Sequence, residues 1–181
     1  MGTEQRRSTV ATMWGIHNDA LGSELVEQGF ISVGWDAMPD LRTIGDDMTR
    51  MKECVHDRHP SGKPGAIPIW AGVLRRFAFE IQIGDVIIAP YRPDSTLNFG
   101  VVAGGYEYHP EVPTHRHRRR VSWRKTGVAR STFPQEALYE IGSAVTLFQI
   151  KRHEAVFRAY LDADDDSTFD SQTTDGEDTA G

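Results

Sequence analysis

The stretch GFISVGWDAMPDL, residues 29–41, places a tryptophan and an aspartate directly after a short apolar segment. Residues 30–34 are predicted to form a strand because they are mainly aromatic and β-branched. The apolar spacing over residues 18–28 predicts a helix that ends at Gly29, a residue that commonly terminates helices. Trp35 and Asp36 therefore fall where a strand ends, and we ask why an indole should stand beside a carboxylate at the edge of a sheet.

The other periodic segments predict strands and helices that do not alternate as regular βαβ units. Strands are expected at residues 12–16, 85–90, 97–108, 116–123 and 144–150. Helices are expected at residues 40–56, 69–80, 131–141 and 154–161, with a loop at 61–68. The strand at 116–123 alternates basic and apolar residues, which favours a sheet edge. This order predicts an α+β fold with a small, curved, mostly antiparallel sheet flanked by helices.

The charge is unevenly distributed along the chain. The net charge is −6, but residues 162–181 contain eight acidic residues and no basic ones, leaving 18 acidic and 20 basic residues in the first 161. We therefore expect a flexible N-terminus at residues 1–9, one domain at residues 10–161, and a disordered acidic tail or linker at residues 162–181. An alternative for the tail is a nucleic-acid mimic that covers the basic face of the domain.

Several classes of protein are disfavoured by what the sequence lacks. It contains no apolar run long enough for a membrane span and no apolar signal core, and its single Cys54 fits a reducing cytoplasm. We find no glycine-rich phosphate loop and no nucleophile elbow. The spacing of Cys54, His56 and His59 matches no usual zinc site. The sequence thus predicts a cytoplasmic binding protein with no catalytic residues, cofactor or metal.

Aromatic residues stand at the ends of the predicted elements, where they could line a pocket for a flat base. Trp35 with Asp36, and Tyr91 with Arg92, combine an aromatic face with a polar group. The alternative is that such aromatics belong to the core, which the apolar periods favour for Trp14, Trp70, Phe77 and Phe99. The candidate aromatic pocket residues are Trp14, Trp35, Tyr91, Tyr106 and Tyr108.

A basic run, THRHRRRVSWRK at residues 114–125, concentrates cations that suit phosphate binding. Because the body of the domain is nearly neutral, we interpret this run as a phosphate surface. A charged edge strand that opposes aggregation is the alternative. The candidate backbone-binding residues are Arg92, Arg116, Arg118, Arg119, Arg120, Arg124 and Lys125.

Taken in order, the segments MWGIHND, GFISVGW, IWAGVLRRFAFEIQIGDVIIAP, LNFGVVAGGYEYHPE and HRRRVSW resemble the PUA-like superfamily that includes the EVE and YTH domains. In particular, they resemble the EVE/YTH-like modules at the N-terminus of modification-dependent restriction proteins, including Mrr-like ones. The resemblance covers residues 13–150. A long segment at residues 41–68 and the presence of Asp36 depart from the family pattern.

The resemblance implies a pseudo-barrel whose pocket captures a flipped, often methylated base between aromatics. It makes Trp35 the counterpart of a cage tryptophan, His17 or Asn18 a contact to the base edge, and Tyr91, Tyr106 or Tyr108 further walls. Asp36 would accept a hydrogen bond from an exocyclic amino group of cytosine or adenine. We therefore expect a reader of a modified base in DNA within a restriction or defence system, alongside a nuclease domain or subunit. An RNA-binding module of the same fold is the main alternative, and a nuclease is another.

Overall fold

A computed structural model describes residues 10–163, which form one six-stranded sheet with helices packed around it. The predicted flexible segment 1–9 and the acidic tail beyond residue 163 lie outside the described residues. The strands are β1 Met13–Ile16, β2 Phe30–Val33, β3 Val86–Tyr91, β4 Thr96–Tyr108, β5 His117–Ala129 and β6 Leu147–Gln149. The α-helices are α1 Glu24–Gln28, α2 Met48–Arg58, α3 Ala66–Arg75, α4 Gln135–Ile141 and α5 Glu154–Asp162.

The sheet order is β2-β5-β4-β3-β1-β6. Strands β1 and β3 pair in parallel, and the other four pairs are antiparallel. The sheet is strongly curled into a half-barrel flanked by helices, so the predicted α+β class is confirmed. The pairing of β4 with β5 shifts register between Leu97 and Phe99, between Phe99 and Gly100, and between Val102 and Tyr106. Such irregularities bend the longest strands and increase the twist that curls the sheet.

The prediction that residues 116–123 form an edge strand is wrong. Strand β5 pairs with β2 on one side and with β4 on the other, so it lies inside the sheet. Burial does alternate along this strand, as predicted. The buried positions, however, are occupied by His117 and Arg119 as well as by Val121. Sequence alone cannot tell a charged edge from a strand that buries an arginine.

The helix boundaries follow local signals. Gly29 ends α1 in the left-handed conformation (φ 72°), and its amide donates to the carbonyl of Leu25. The helix predicted from residue 40 instead begins at Met48, because Asp47 accepts a hydrogen bond from the amide of Arg50. Asp40 caps only the 3-10 turn Leu41–Thr43. Helix α3 begins inside the predicted loop and continues into a π-helical turn, Arg76–Glu80.

Both faces of the central strands are buried, which explains the continuous apolar run in β3. Ile87 and Ala89 join one hydrophobic cluster, and Val86 and Ile88 join a second on the opposite face. The first cluster fills the inside of the curl and contains Trp14 and Phe77, and the second contains Phe99. The expectation that Phe77 and Phe99 are core residues is confirmed, since both side chains are fully buried.

Candidate nucleic-acid interface

Trp35 and Asp36 lie where β2, β4 and β5 meet at one end of the sheet. Val33, the last residue of β2, pairs with His117, the first residue of β5. His117 also pairs with Tyr108, the last residue of β4. The turn after β2 and the loop between β4 and β5 therefore emerge side by side, and this region is called the Trp35 end below.

The backbone of Trp35 is held in a strained conformation. Its φ is 58°, in the left-handed region that bulky residues rarely adopt. The ring of His117 donates from Nε2 to the carbonyl of Trp35 (3.3 Å) and accepts at Nδ1 from the hydroxyl of Tyr106 (2.6 Å). That hydroxyl in turn accepts from the amide of Leu41 (3.1 Å). These hydrogen bonds join Trp35 to Leu41 through side chains of β4 and β5. Backbone strain such as that of Trp35 is often maintained at functional sites.

Burial determines the protonation states in this network. Desolvation lowers the pKa of His117, which favours the neutral ring that can accept at Nδ1 and donate at Nε2. Desolvation also raises the pKa of the Tyr106 hydroxyl, so that group keeps its proton. Both groups are therefore neutral hydrogen-bonding partners at physiological pH.

The carboxylate of Asp36 is only partly satisfied. Its Oδ2 accepts a hydrogen bond from the hydroxyl of Thr114 (2.8 Å). Its backbone carbonyl accepts from the guanidinium of Arg116 (3.4 Å). Its Oδ1 is buried and has no hydrogen-bond partner among the described residues. A buried acceptor without a donor is costly, which makes this oxygen a position where a ligand donor would be stabilising.

The aromatic rings at the Trp35 end are in contact with one another. Trp35 packs against Trp70 of α3 with ring centroids 6.2 Å apart and planes tilted by 57°, a direct contact with no room for a third ring. The ring of His117 stacks with those of Tyr106 and Tyr108, with centroids 5.9 and 5.5 Å away. Two of the predicted cage walls, Tyr106 and Tyr108, thus pack against a histidine, and a base at this end would approach Trp35 from its partly exposed side.

The arginines of the basic run divide between the two faces of β5. Arg120 is exposed on the outer face, where Arg118 lies half-buried. Arg124 is exposed as well, at a position that the pairing of β4 with β5 skips. The guanidinium of Arg118 sits over the ring of Phe30, 4.2 Å from its centroid. Arg120 lies 3.7 Å from the carboxylate of Glu107. The outer face is therefore basic but includes an acidic neighbour.

Arg119 corrects the sequence interpretation, because it points into the curl and is buried. Its guanidinium donates to the carbonyls of Phe77 (2.7 Å) and Ala78 (2.9 Å) in the π-helical turn, and to that of Gly104 (3.2 Å). Burial lowers its pKa to about 10, which still leaves it charged. Arg119 links the end of α3 to the sheet and is not available to phosphate. Lys125 is likewise engaged, donating to the carbonyl of Tyr160 in α5.

Two predicted pocket residues are also structural. Trp14 is buried, and its indole donates to the carboxylate of Asp85 (2.9 Å). Asn18 is buried against β2, where its Oδ1 accepts from the amide of Ser32 (2.5 Å) and its Nδ2 donates to the hydroxyl of Ser32 (2.9 Å). Asn18 thereby joins the chain after β1 to edge strand β2 across the curl. Neither side chain can contact a base at the surface.

The remaining predicted residues line two cavities at the other end of β4 and β5. A cavity of about 590 Å³ is bordered by His17, Pro90, Arg92, Ser95, Arg130 and Ser143, among others. A smaller cavity of about 190 Å³, lined in part by Tyr91 and Trp123, lies beside the same β3–β4 turn. The eight predicted pocket residues are therefore not collected in one pocket.

Sequence reasoning missed the residues that position the Trp35 end. Thr114 and His117 were read only as part of the basic run, although His117 is in phase with the inward residues Arg119 and Val121. Among residues 10–163, no group of three or more His, Cys, Asp or Glu side chains is arranged to hold a metal ion. None of the helices in the same range has both the length and the apolar character that crossing a membrane requires.

Comparison with known proteins places the chain by sequence. Neither the comparison with curated proteins nor that with solved structures gave a match. A family model described as "Domain of unknown function (DUF8426)" matches residues 12–150, which span β1 to the end of β6 and include both ends of the sheet. The chain therefore belongs to the DUF8426 family.

Proposed function

We propose that this protein is a non-enzymatic reader of a modified base in DNA, acting at the Trp35 end within a restriction or defence system. The observation that carries the proposal is the buried Oδ1 of Asp36, which has no donor among the described residues and lies next to a half-buried tryptophan. An ionised carboxylate accepts hydrogen bonds and cannot donate them. It therefore selects a base with an exocyclic amino group, such as cytosine or adenine, over thymine or uracil.

Trp35 supplies the stacking surface in this proposal. Stacking on an aromatic side chain contributes about 1–3 kcal/mol per base, which offsets part of the few kcal/mol needed to flip a base from a duplex. Because Trp70 already covers one side of the indole, the base would stack on the remaining exposed part. The hydrogen bond from His117 to the Trp35 carbonyl keeps the indole in place before the base arrives.

The outer face of β5 supplies phosphate contacts. Arg120 and Arg124 are both exposed on β5, and β5 begins at the Trp35 end. Guanidinium groups bind phosphate oxygens through paired N–H groups. Each phosphate contact makes binding more sensitive to salt without adding base selectivity.

The test is fluorescence anisotropy with duplexes that differ in one central base: cytosine, 5-methylcytosine, 5-hydroxymethylcytosine, adenine, N6-methyladenine and thymine. We expect a preference for one modified base that persists when salt is raised. Asp36→Asn should reduce the preference over thymine by about tenfold or more, since the amide loses the negative charge and one of the two acceptor oxygens. Trp35→Ala should remove the base preference, and Trp35→Phe should retain part of it.

Arginine variants provide the matched control. Arg120→Gln and Arg124→Gln should each weaken binding to all duplexes equally and lower the salt slope by about 1. Arg152→Gln, an exposed arginine before α5, should change neither. Equal, salt-sensitive binding to every duplex, with no effect of Trp35→Ala, would overturn the proposal.

An RNA-binding module with the same site is the second candidate, because the acceptor and the indole suit an unpaired base equally well. Matched RNA and DNA single strands distinguish the two, since only RNA has a 2′-hydroxyl. Cleavage of plasmid DNA by the pure protein with a divalent metal would instead indicate a nuclease.

A further inference from the structure

We infer that the guanidinium of Arg118 binds a phosphate of the same nucleotide whose base is read at the Trp35 end. This phosphate site rests on the proposed function and extends it, because it specifies which part of the DNA backbone is bound together with the base. Arg118 lies near the start of β5, beside the pairing of β2 with β5 that brings the loops of the Trp35 end together.

The guanidinium of Arg118 is held in place while part of it stays open to a ligand. Its Nε donates to the carbonyl of His115 (2.8 Å), and its central carbon lies 4.2 Å from the centroid of the Phe30 ring. Its terminal NH₂ groups make no hydrogen bond, and the side chain forms no ion pair, among the described residues. A guanidinium that is immobilised before the ligand arrives loses less conformational freedom on binding.

A small cavity on the outer face of the sheet lies beside Arg118. It measures about 140 Å³, and Arg118, Arg120 and Gln28 contribute to its lining. Cavities that hold a whole small molecule are larger, typically roughly 300–1,000 Å³. This one therefore suits a single group such as a phosphate. Arg118 and Arg120 are two residues apart on β5, so their backbones are about 7 Å apart and both side chains can reach one phosphate.

The charge around this cavity favours an anion, although one carboxylate stands in its wall. Glu107 pairs with Arg118 in the β4–β5 ladder, but its Oε2 lies 3.7 Å from Nε of Arg120. Its Oε1 lies 3.2 Å from Nε2 of His109. Of the described residues that line the cavity, two are arginines and this one is a carboxylate. The remaining positive charge is carried by a planar group that matches two phosphate oxygens.

The loop before β5 joins Arg118 to the acceptor of the base site. The hydroxyl of Thr114 donates to Oδ2 of Asp36 (2.8 Å), and the carbonyl of the next residue, His115, accepts from Arg118. His115 has a φ of 52°, in the left-handed region, and such backbone strain is often maintained at functional sites. Asp36 and Arg118 are thus fixed by neighbouring residues, whose Cα atoms are about 3.8 Å apart. A base over the end of the sheet and a phosphate on its outer face can then belong to one nucleotide.

Methylphosphonate substitution tests this assignment, because it removes the charge of one chosen phosphate. Duplexes carry 5-methylcytosine, 5-hydroxymethylcytosine or N6-methyladenine, whichever the base panel identifies. The neutral group stands at the phosphate 5′ to that base, at the phosphate 3′ to it, or several nucleotides away, and binding is measured by fluorescence anisotropy. We expect one of the two adjacent substitutions to weaken wild-type binding by about tenfold, and the distant one to weaken it far less. In Arg118→Gln, the adjacent and distant substitutions should weaken binding equally.

Two further variants and a stability measurement serve as controls. Arg118→Lys should retain part of the dependence on the adjacent phosphate, since lysine keeps the charge and lacks the planar fork. Arg152→Gln, which changes an exposed arginine before α5, should show the wild-type pattern. Because Arg118 also covers the ring of Phe30, thermal unfolding of each variant without DNA checks that it is folded.

The possible failures of this assignment and of the proposed function are distinguishable. Arg118→Gln protein that keeps the full loss at the adjacent phosphate would overturn the assignment. Equal losses at adjacent and distant phosphates in the wild type would do the same. Both results leave the base preference of the wild type in place. The absence of any base preference among unsubstituted duplexes would instead remove the base site, and the phosphate assignment with it.

Discussion

Replacing Arg119 with methionine should destabilise the domain without acting directly on nucleic-acid binding. The guanidinium donates to three carbonyls, those of Phe77, Ala78 and Gly104. Methionine has similar length and can occupy the same space, but it donates no hydrogen bond. The change therefore removes the donors while it preserves most of the packing.

The size of the effect follows from the three carbonyls. At about 1 kcal/mol for each buried carbonyl left without its donor, the free energy of unfolding should fall by about 3 kcal/mol. For a domain of this size, such a loss corresponds to a decrease in Tm of about 6–12 °C. The measurement is urea unfolding followed by tryptophan fluorescence, with the slope compared between variants.

Arg120→Met is the matched control, because Arg120 is the next residue and its side chain is 70% exposed. Its stability should stay within about 0.5 kcal/mol of the wild type. The structural role of Arg119 would be refuted if Arg119→Met unfolded at the wild-type urea concentration. Wild-type stability combined with weaker, less salt-sensitive binding would mean that Arg119 contacts phosphate as first predicted from the sequence.

Three further changes test the packing and the Trp35 end. Gly100→Ala would bring a Cβ into the side chain of Val121 in β5 and should lower the free energy of unfolding by about 1–3 kcal/mol, measured by urea unfolding. Gly105→Ala, with nothing within 4 Å of the added Cβ, should leave it unchanged. Asn18→Ala should cost about 2 kcal/mol because it leaves the buried amide and hydroxyl of Ser32 without their partner; an unchanged urea midpoint would contradict this role. Burial lowers the pKa of His117 in the folded state, so stability should decline as pH falls below about 6.5, where the unfolded chain binds the proton first. Urea unfolding of His117→Gln at pH 7.5 and 5 should show a smaller decline, and an identical one would exclude His117 as its source.

Local patterns predicted most of the elements and left their boundaries open. The strand formers of β2 and the glycine after α1 appeared in the structure where they were expected. The helix predicted from residue 40 began later, because Asp47 provides the cap and Asp40 turns only a short 3-10 segment. Asp40 and Asp47 both precede the amphipathic segment and either could cap a helix, so the local pattern does not choose between them.

The candidate site could be predicted only in part. The position of Trp35 and Asp36 at a strand end follows from the apolar segment before them, and the structure adds the pairing with β5 that brings Thr114 and His117 alongside. Tyr106 and Tyr108 were among the alternatives expected as cage walls, and both rings stack with His117. Ring contacts of this kind depend on the register between strands, which no single segment encodes.

By itself, the sequence determined the α+β composition, the uneven charge and the presence of a concentrated run of arginines, because these depend on residue type and short-range spacing. Only the tertiary structure decided which arginine of the run is buried and which carboxylate oxygen lacks a donor among the described residues. Those outcomes depend on pairing between segments distant in the chain. Arg119, for example, binds backbone carbonyls 41 and 42 residues earlier.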